Sequence, residues 1–357
     1  MKLGIVGLPG SGKSTVFKAL TGGIESGGKK GHPEPGVGVV KVKDDRLDYL
    51  TDYHHPKKTT PVFVEYLDIA GFSGERTPEH EIGDKVLSHV RPVDALVHCV
   101  RMFSSDLSGP PRGLPDYQAV EEEMILSDLV VVEKRIERIS RDIQRGRKEL
   151  AEELGLLEQA KVVLDQGRAL RTFPPAWESD RLRGFAFLSA KPELVLLNAG
   201  DDTERSRIQE VAQEIQDWCG PQEGLAMDWL YADSEAEIAR LDPEDAKEFL
   251  AELQFEEGAK DRIIRSSFKL LNLIVFFTAG EPEVRAWQLK AGQTALKAAG
   301  TVHSDMERGF IRAEVVSYRD FREAGSMAAA QKAGKTRLEG RDYVVQDGDI
   351  ILFRFNV

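Results

Sequence analysis

Apolar and polar positions fall into three regimes along the chain. In the first hundred residues, short apolar runs at 2–6, 37–43, 61–71 and 94–100 read as strands, and 15–20 and 46–53 read as helices. From residue 119 the pattern lengthens. Ile125, Leu129, Val132, Ile136, Ile139 and Ile143 alternate spacings of four and three, a narrow seam of the kind that pairs helices in a coiled coil. The seam breaks near Gly146 and resumes with Leu150, Leu154, Leu157 and Leu164, which predicts two antiparallel helices. Strand character returns at 185–189, 193–197 and 226–231, with a helix at 208–218, a loop at 232–235 and closing helices at 242–253 and 257–271. The last regime holds short strands at 273–277, 284–289, 311–317, 343–345 and 350–355, with helices at 294–299 and 320–332. Strands wrapped about a helix at this spacing predict a small α+β module of about eighty residues.

The first strand runs into Gly7-Leu8-Pro9-Gly10-Ser11-Gly12-Lys13-Ser14, a full match to G-x-x-x-x-G-K-[ST], and Thr15 opens the helix behind it. Glycines let successive backbone amides turn inward around a polyphosphate, and the helix N-terminus adds partial positive charge to the same oxygens. Lys13 is placed to reach the β- and γ-phosphates and Ser14 to coordinate Mg2+. Residues 22–38 are rich in glycine, lysine and proline and read as a mobile loop where a nucleotide-sensing loop would lie. The strand at 61–71 ends in Asp68-Ile69-Ala70-Gly71. A D-x-x-G some fifty residues after a phosphate loop puts a carboxylate near the magnesium shell and a glycine amide near the γ-phosphate. Asn198-Ala199-Gly200-Asp201 is an N-x-x-D at a strand end, where Asp201 can accept hydrogen bonds from guanine N1 and N2, and Ala232 lies in a loop placed to touch the base from the other side.

The formal net charge of −12 excludes a uniformly basic coat for nucleic acid, so any such contact is local. Two local sources stand out: a stripe of Lys134, Arg138, Arg141 and Arg145 on the helical hairpin, interleaved with acids as a solvated helix face also would be, and a C-terminal cluster of Arg308, Arg312, Lys332, Lys335, Arg337 and Arg341. The two cysteines, Cys99 and Cys219, have neither metal-ligand nor disulfide-framework spacing. No run approaches the ~18 apolar residues of a membrane span and no signal-peptide pattern opens the chain, so a soluble cytoplasmic protein is expected.

The residues carry a further resemblance. Gly4-Ile5-Val6-Gly7-Leu8-Pro9, Gly38-Val39-Val40, Pro56-Lys57-Lys58 and Asp68-Ile69-Ala70-Gly71, with Phe277-Thr278-Ala279-Gly280, Glu283-Val284-Arg285-Ala286-Trp287, His303-Ser304-Asp305 and Gly309-Phe310-Ile311-Arg312-Ala313 near the end, resemble the YchF subfamily of Obg-related P-loop NTPases over nearly the whole length. The resemblance implies an α/β NTPase core interrupted by a helical hairpin, a C-terminal β-grasp TGS domain, association with ribosomes, and in several members a preference for ATP over GTP. Against the family's pattern, Gly10-Ser11 stand where it usually has Asn-Val, and His32 stands where its first switch has threonine. Asp201 stands where ATP-preferring members have glutamate, and Ala199 where guanine-specific proteins have lysine. Phe72 occupies the position of the water-orienting glutamine of Ras-like proteins, as the family's hydrophobic residue does.

The resulting expectation is an NTPase core at 1–112 and 186–272, a helical insertion at 113–185 and a TGS domain at 273–357. Nucleotide contacts are assigned to Pro9, Gly10, Ser11, Gly12, Lys13, Ser14, Thr15, Asn198, Asp201 and Ala232, magnesium to Ser14 and Asp68, and catalysis to Lys13, Asp68 and Gly71. Slow hydrolysis of ATP, with GTP accepted, coupled to the ribosome or its RNA in a monomeric protein, is the leading function. A nucleotide-sensing switch without hydrolysis and a ribosome-associated adaptor with a vestigial site are the alternatives.

Overall fold

The computed structural model describes residues 1–23, 36–69, 89–105, 109–252 and 257–356. His32, Ala70, Gly71 and Phe72 lie outside them. The chain divides into two compact units, Met1–Val40 with Val64–Leu270, and Lys41–Phe63 with Leu271–Val357.

The first unit is built on β1 (Lys2–Val6), β2 (Gly36–Lys41), β4 (Phe63–Asp68), β5 (Ala95–Arg101), β6 (Glu193–Ala199) and β7 (Leu225–Tyr231), while β3 (Thr59–Thr60) falls in the second unit. The order is β2-β4-β1-β5-β6-β7, with β1 parallel to β4 and β5, and β6 parallel to β5 and β7. Every residue of β5 and β6 is buried, which is why these strands read as mostly apolar runs. The register aligns the carboxyl ends of the strands. Ile5 is opposite Asp68, Val6 opposite His98, Arg101 opposite Asn198 and Ala199 opposite Tyr231, so the loops that follow share the edge where ligands of open α/β sheets bind.

Two helices, α3 (Leu114–Gln144) and α4 (Ala151–Asp165), form the inserted hairpin; α1 (Lys13–Thr21) and α2 (Asp45–His54) precede them. Helix α3 begins five residues earlier than the pattern predicts, because Pro115 sits in its first turn, where a missing N–H costs nothing. The seam closes as expected: Ile125, Val132 and Ile139 pack with Leu157, Ala160 and Leu164, each buried Ile, Val or Leu contributing about 1.5–3 kcal/mol. Arg135–Glu153 at 2.8 Å and Lys161–Glu133 at 2.6 Å tie the two helices. The expected strand at 185–189 is absent. Ala186 takes a left-handed φ of 49°, and the Asp128 carboxylate accepts from the amides of Leu188 and Ser189 and from the Ser189 hydroxyl, so this apolar run caps the hairpin root instead of joining the sheet. The 232–235 segment, expected as a loop, is the start of a helix at Ala232–Ile238, its first turn carrying Asp233 and Glu235 as helix N-termini favour.

The second unit has the sheet order β11-β10-β12-β8-β9-β3, with β8 (Leu273–Ala279), β9 (Val284–Lys290), β10 (Phe310–Ser317), β11 (Arg337–Glu339) and β12 (Asp349–Phe355). It is mixed: β8 is antiparallel to β9 and parallel to β12. A helix at Ala295–Val302 packs Ala295, Ala298 and Ala299 against Phe276, Phe310, Val315 and Phe353. Residues 343–345 form no strand and make only an isolated bridge from Val344 to Thr294, and the helix expected at 320–332 is two helices broken at Gly325. Residues 41–63, expected within the NTPase core, belong to this unit instead.

Candidate functional site

Strand β1 delivers the chain into the phosphate loop with Gly7 at φ 148°, Gly10 at 74° and Gly12 at 86°. Two of these glycines have no room for a side chain. A Cβ on Gly7 would lie 2.5 Å from the Cys99 carbonyl oxygen and one on Gly12 2.2 Å from Asn198 Nδ2. Helix α1 then starts with no side-chain cap and no acid in its first turn, leaving its first amides to an anion. Lys13 folds back over the loop and donates to the carbonyls of Gly7 (3.0 Å) and Leu8 (2.7 Å). Burial lowers its pKa, and Asp68 opposes the shift. The Ser14 hydroxyl donates to Asp68 Oδ2 at 2.8 Å. Lys13, Ser14 and Asp68, fifty-four residues apart between Ser14 and Asp68, are thus brought together as the motifs require.

The N-x-x-D residues divide. Asn198 is buried; its Nδ2 donates to the Ser11 carbonyl at 3.0 Å, and its Oδ1 accepts from the Ala232 amide at 3.4 Å. It ties the phosphate loop to the segment after β7. Asp201 is exposed and accepts from the Ser234 hydroxyl at 2.6 Å, which brings the two predicted base-facing segments together. The Cys99 thiol also donates to the Ser11 carbonyl, at 3.1 Å, and burial pushes its pKa up to about 11.

Some site residues were not foreseen. Phe103 sets its ring edge beside Gly12 and its Cβ beside Gly200, so the side chain lies between the phosphate loop and the N-x-x-D turn. Behind the loop is a cavity of about 240 Å3 lined by Leu8, Pro9, Ser11, Cys99, Arg101, Arg112 and Asp116. Leu8 packs against a core containing Ile69, Val120 and Met124, so the root of α3 adjoins the phosphate loop. A buried polar cluster lies at the same root. Arg171 pairs with Glu121 (2.8 Å) and Glu193 (2.9 Å), and Glu193 also meets His98 (2.7 Å) and the Tyr117 hydroxyl (3.1 Å). Burial pushes Glu121 up to about 8 against the pull of Arg171. Glu193 meets the same burial, but Arg171 and His98 outweigh it and hold it below its usual value. With the Arg171 guanidinium bonded to both carboxylates, this cluster is a structural lock.

At the surface of the hairpin tip, Lys134, Arg138, Arg141, Arg145 and Arg147 line an open groove of about 590 Å3 with Glu137 and Asp142. The C-terminal basic cluster is more neutralised: Lys335 pairs with Asp320 at 2.9 Å, Arg308 with Asp305, and Arg337 donates to the Tyr343 hydroxyl.

Comparison with known proteins agrees with this geometry. A "ribosome-binding ATPase YchF" from Bacillus subtilis is 43% identical over 366 residues, covering 99% of both chains. The chain belongs to the YchF family. The "Obg-like ATPase 1" of Gallus gallus is 34% identical over 370 residues, spanning 100% of this chain and 92% of its own. The solved structure of the Schizosaccharomyces pombe YchF GTPase superposes with a TM-score of 0.80 at 28% identity, over 99% of this chain and 97% of that one. A family model for a 50S ribosome-binding GTPase matches residues 2–144, and the YchF GTPase C-terminal model, described as a protein of unknown function, matches 273–356. The family and the phosphate loop together make the chain a nucleotide-binding P-loop NTPase.

Proposed function

We propose that the chain is a slow, magnesium-dependent NTPase, favouring ATP narrowly and accepting GTP, whose nucleotide state governs association with the ribosome. One observation carries the nucleotide half: Ser14 and Asp68 meet at 2.8 Å beside a phosphate loop whose lysine already lies across it. A hydroxyl and a carboxylate at this separation are hard oxygen donors that fit Mg2+, which keeps several waters and takes the rest of its shell from phosphate. Bound there, magnesium would neutralise charge between the β- and γ-phosphates. Lys13 would exchange its carbonyl partners for phosphate oxygens, and the open amides of α1 would hold the same group. Phe72 stands where Ras-like proteins place the water-orienting glutamine, which supports slow turnover. Ser14→Ala should weaken the magnesium dependence of nucleotide binding; an unchanged dependence would remove the metal assignment.

The ribosome half rests on the relatives' names and on charge. Five cations against two acids line the hairpin-tip groove, toward the far end of a 31-residue helix about 46 Å long whose root adjoins the phosphate loop. The groove, more than the internally paired C-terminal cluster, is suited to RNA phosphates. Among the described residues no helix is long and apolar enough to cross a membrane, and a cytoplasmic site of action is part of the same reading. Reversing Arg138, Arg141 and Arg145 to glutamate should weaken co-sedimentation with ribosomes at low salt while sparing nucleotide binding, each lost phosphate contact reducing the salt slope by about 0.7–0.9. Equal sedimentation of variant and wild type would return the groove to a solvated helix face.

A further inference from the structure

The segment between β2, at one edge of the nucleotide-binding sheet, and its neighbour β4 belongs to the other unit. Strand β2 ends at Lys41, β4 begins at Phe63, and all of Lys41–Phe63 clusters with the C-terminal sheet. Its anchoring is extensive. In α2, Arg46 grips Asp44 through both carboxylate oxygens, pairs with Asp347 at 2.6 Å and lies 5.3 Å over the Phe277 ring. Tyr49 and Tyr53 set their edges on Phe321, which is wholly buried, and His54 stacks on it. Strand β3 adds Thr59 and Thr60 to β9 in parallel register with Val284 and Arg285, and the Thr60 hydroxyl donates to Glu283 at 2.6 Å. Lys57 N–H donates to the Glu281 carbonyl, and Val284 N–H to that of Lys58. The neck of the segment is closed by Val42 N–H on the Val62 carbonyl at 2.9 Å, so the two strands of the first unit pass into the second without a linker.

We infer that this segment is a strap that transmits nucleotide occupancy to the C-terminal unit. The inference rests on the nucleotide reading above. Strand β4 ends at Asp68, the carboxylate bonded to Ser14, so whatever moves Asp68 when a phosphate group and cation enter pulls on β4. A flexible linker would absorb that displacement by rotating its own dihedrals, but none stands between β4 and the strap. The movement is therefore handed to α2 and β3, and through Glu283 and Val284 to β9 and β8. Coupling of this kind is reciprocal: a partner that shifts the C-terminal sheet alters nucleotide affinity by the same factor.

Hydrogen exchange on the full chain, with and without a non-hydrolysable ATP analogue and magnesium, tests this alongside a direct binding titration. In wild type, the analogue should change exchange in peptides covering 273–290 as well as around the phosphate loop, by about fivefold or more. In Arg46→Ala the loop should respond as before, while the change at 273–290 falls to less than half. Thr60→Val, which deletes one hydrogen bond at the sheet edge, serves the same end if Arg46→Ala does not fold. Binding with no change at 273–290 in wild type would overturn the strap and leave the nucleotide reading intact. A full change at 273–290 in a folded variant would also overturn it as the route. Absence of binding in wild type would overturn the nucleotide reading, and the strap with it.

Discussion

The phosphate loop and the N-x-x-D turn meet at Asn198, and they are built on different logic. The loop recognises with main chain: glycine torsions aim its amides, and its one charged side chain, Lys13, rests on carbonyls of the loop itself. The turn relies on side chains, and its asparagine is spent inside the protein, braced between Ser11 and Ala232, while its aspartate is exposed and held by Ser234. Main-chain recognition survives change in the surrounding side chains. Side-chain recognition can be retuned by a single neighbour. The phosphate end therefore fixes that a triphosphate binds, and the base end is where this chain is free to differ from its relatives.

The largest expected effect lies at the phosphate end. Lys13→Ala removes a cation that rests on the carbonyls of Gly7 and Leu8, so nucleotide affinity should fall about a hundredfold while the melting temperature changes little. Titration calorimetry with ATP reads the affinity, and an unchanged value would remove the loop from the binding site. Next comes the brace. Asn198→Ala leaves the buried Ala232 amide without its acceptor and takes from the Ser11 carbonyl one of two donors, the other being Cys99, at a cost of about 1–3 kcal/mol in stability. Asp201→Ala, at an exposed position, should leave stability within about 0.5 kcal/mol. Urea unfolding compares the two. Equal losses would erase the distinction between brace and reader.

Much of this is legible in the sequence alone, because the informative signals are local. The phosphate loop is eight consecutive residues, the hairpin seam is periodic, and the central parallel strands are mostly apolar runs. What stayed hidden depends on distant partners. Nothing in Thr59-Thr60 announces a strand pairing with Val284, more than two hundred residues on, so the strap reads as part of the NTPase core. Residues 185–189 look like a strand because Phe187 and Leu188 are buried, but their burial is against the hairpin root, where Asp128 claims the amides a sheet would have used. One signal was available and went unread: Glu121 and Asp128 lie seven residues apart on the apolar stripe of α3 with Ile125 and Val132. Carboxylates there must be matched by buried donors, here Arg171 and Ser189.

The smallest and most discriminating effect concerns the base. A free carboxylate at Asp201 would favour guanine, whose N1–H and N2–H are donors, over adenine, whose N1 is an acceptor. Here, however, one carboxylate oxygen already accepts from Ser234 at 2.6 Å, and the group is exposed, so adenine does not strand a buried, unpaired charge. That lowers the usual mismatch cost of about 1–3 kcal/mol and permits ATP. Ser234→Ala should release the carboxylate and move the ATP-to-GTP affinity ratio toward GTP by about fivefold. Asp201→Ala, which removes guanine's acceptor altogether, should move the ratio the other way. Competition titrations of both nucleotides on the two variants and wild type read the ratio directly. A strong GTP preference in the wild type would overturn the ATP assignment. The same ratio in all three proteins would place base recognition outside Asp201 and Ser234, with Phe103, whose side chain lies beside Gly12 and Gly200, as the next residue to change.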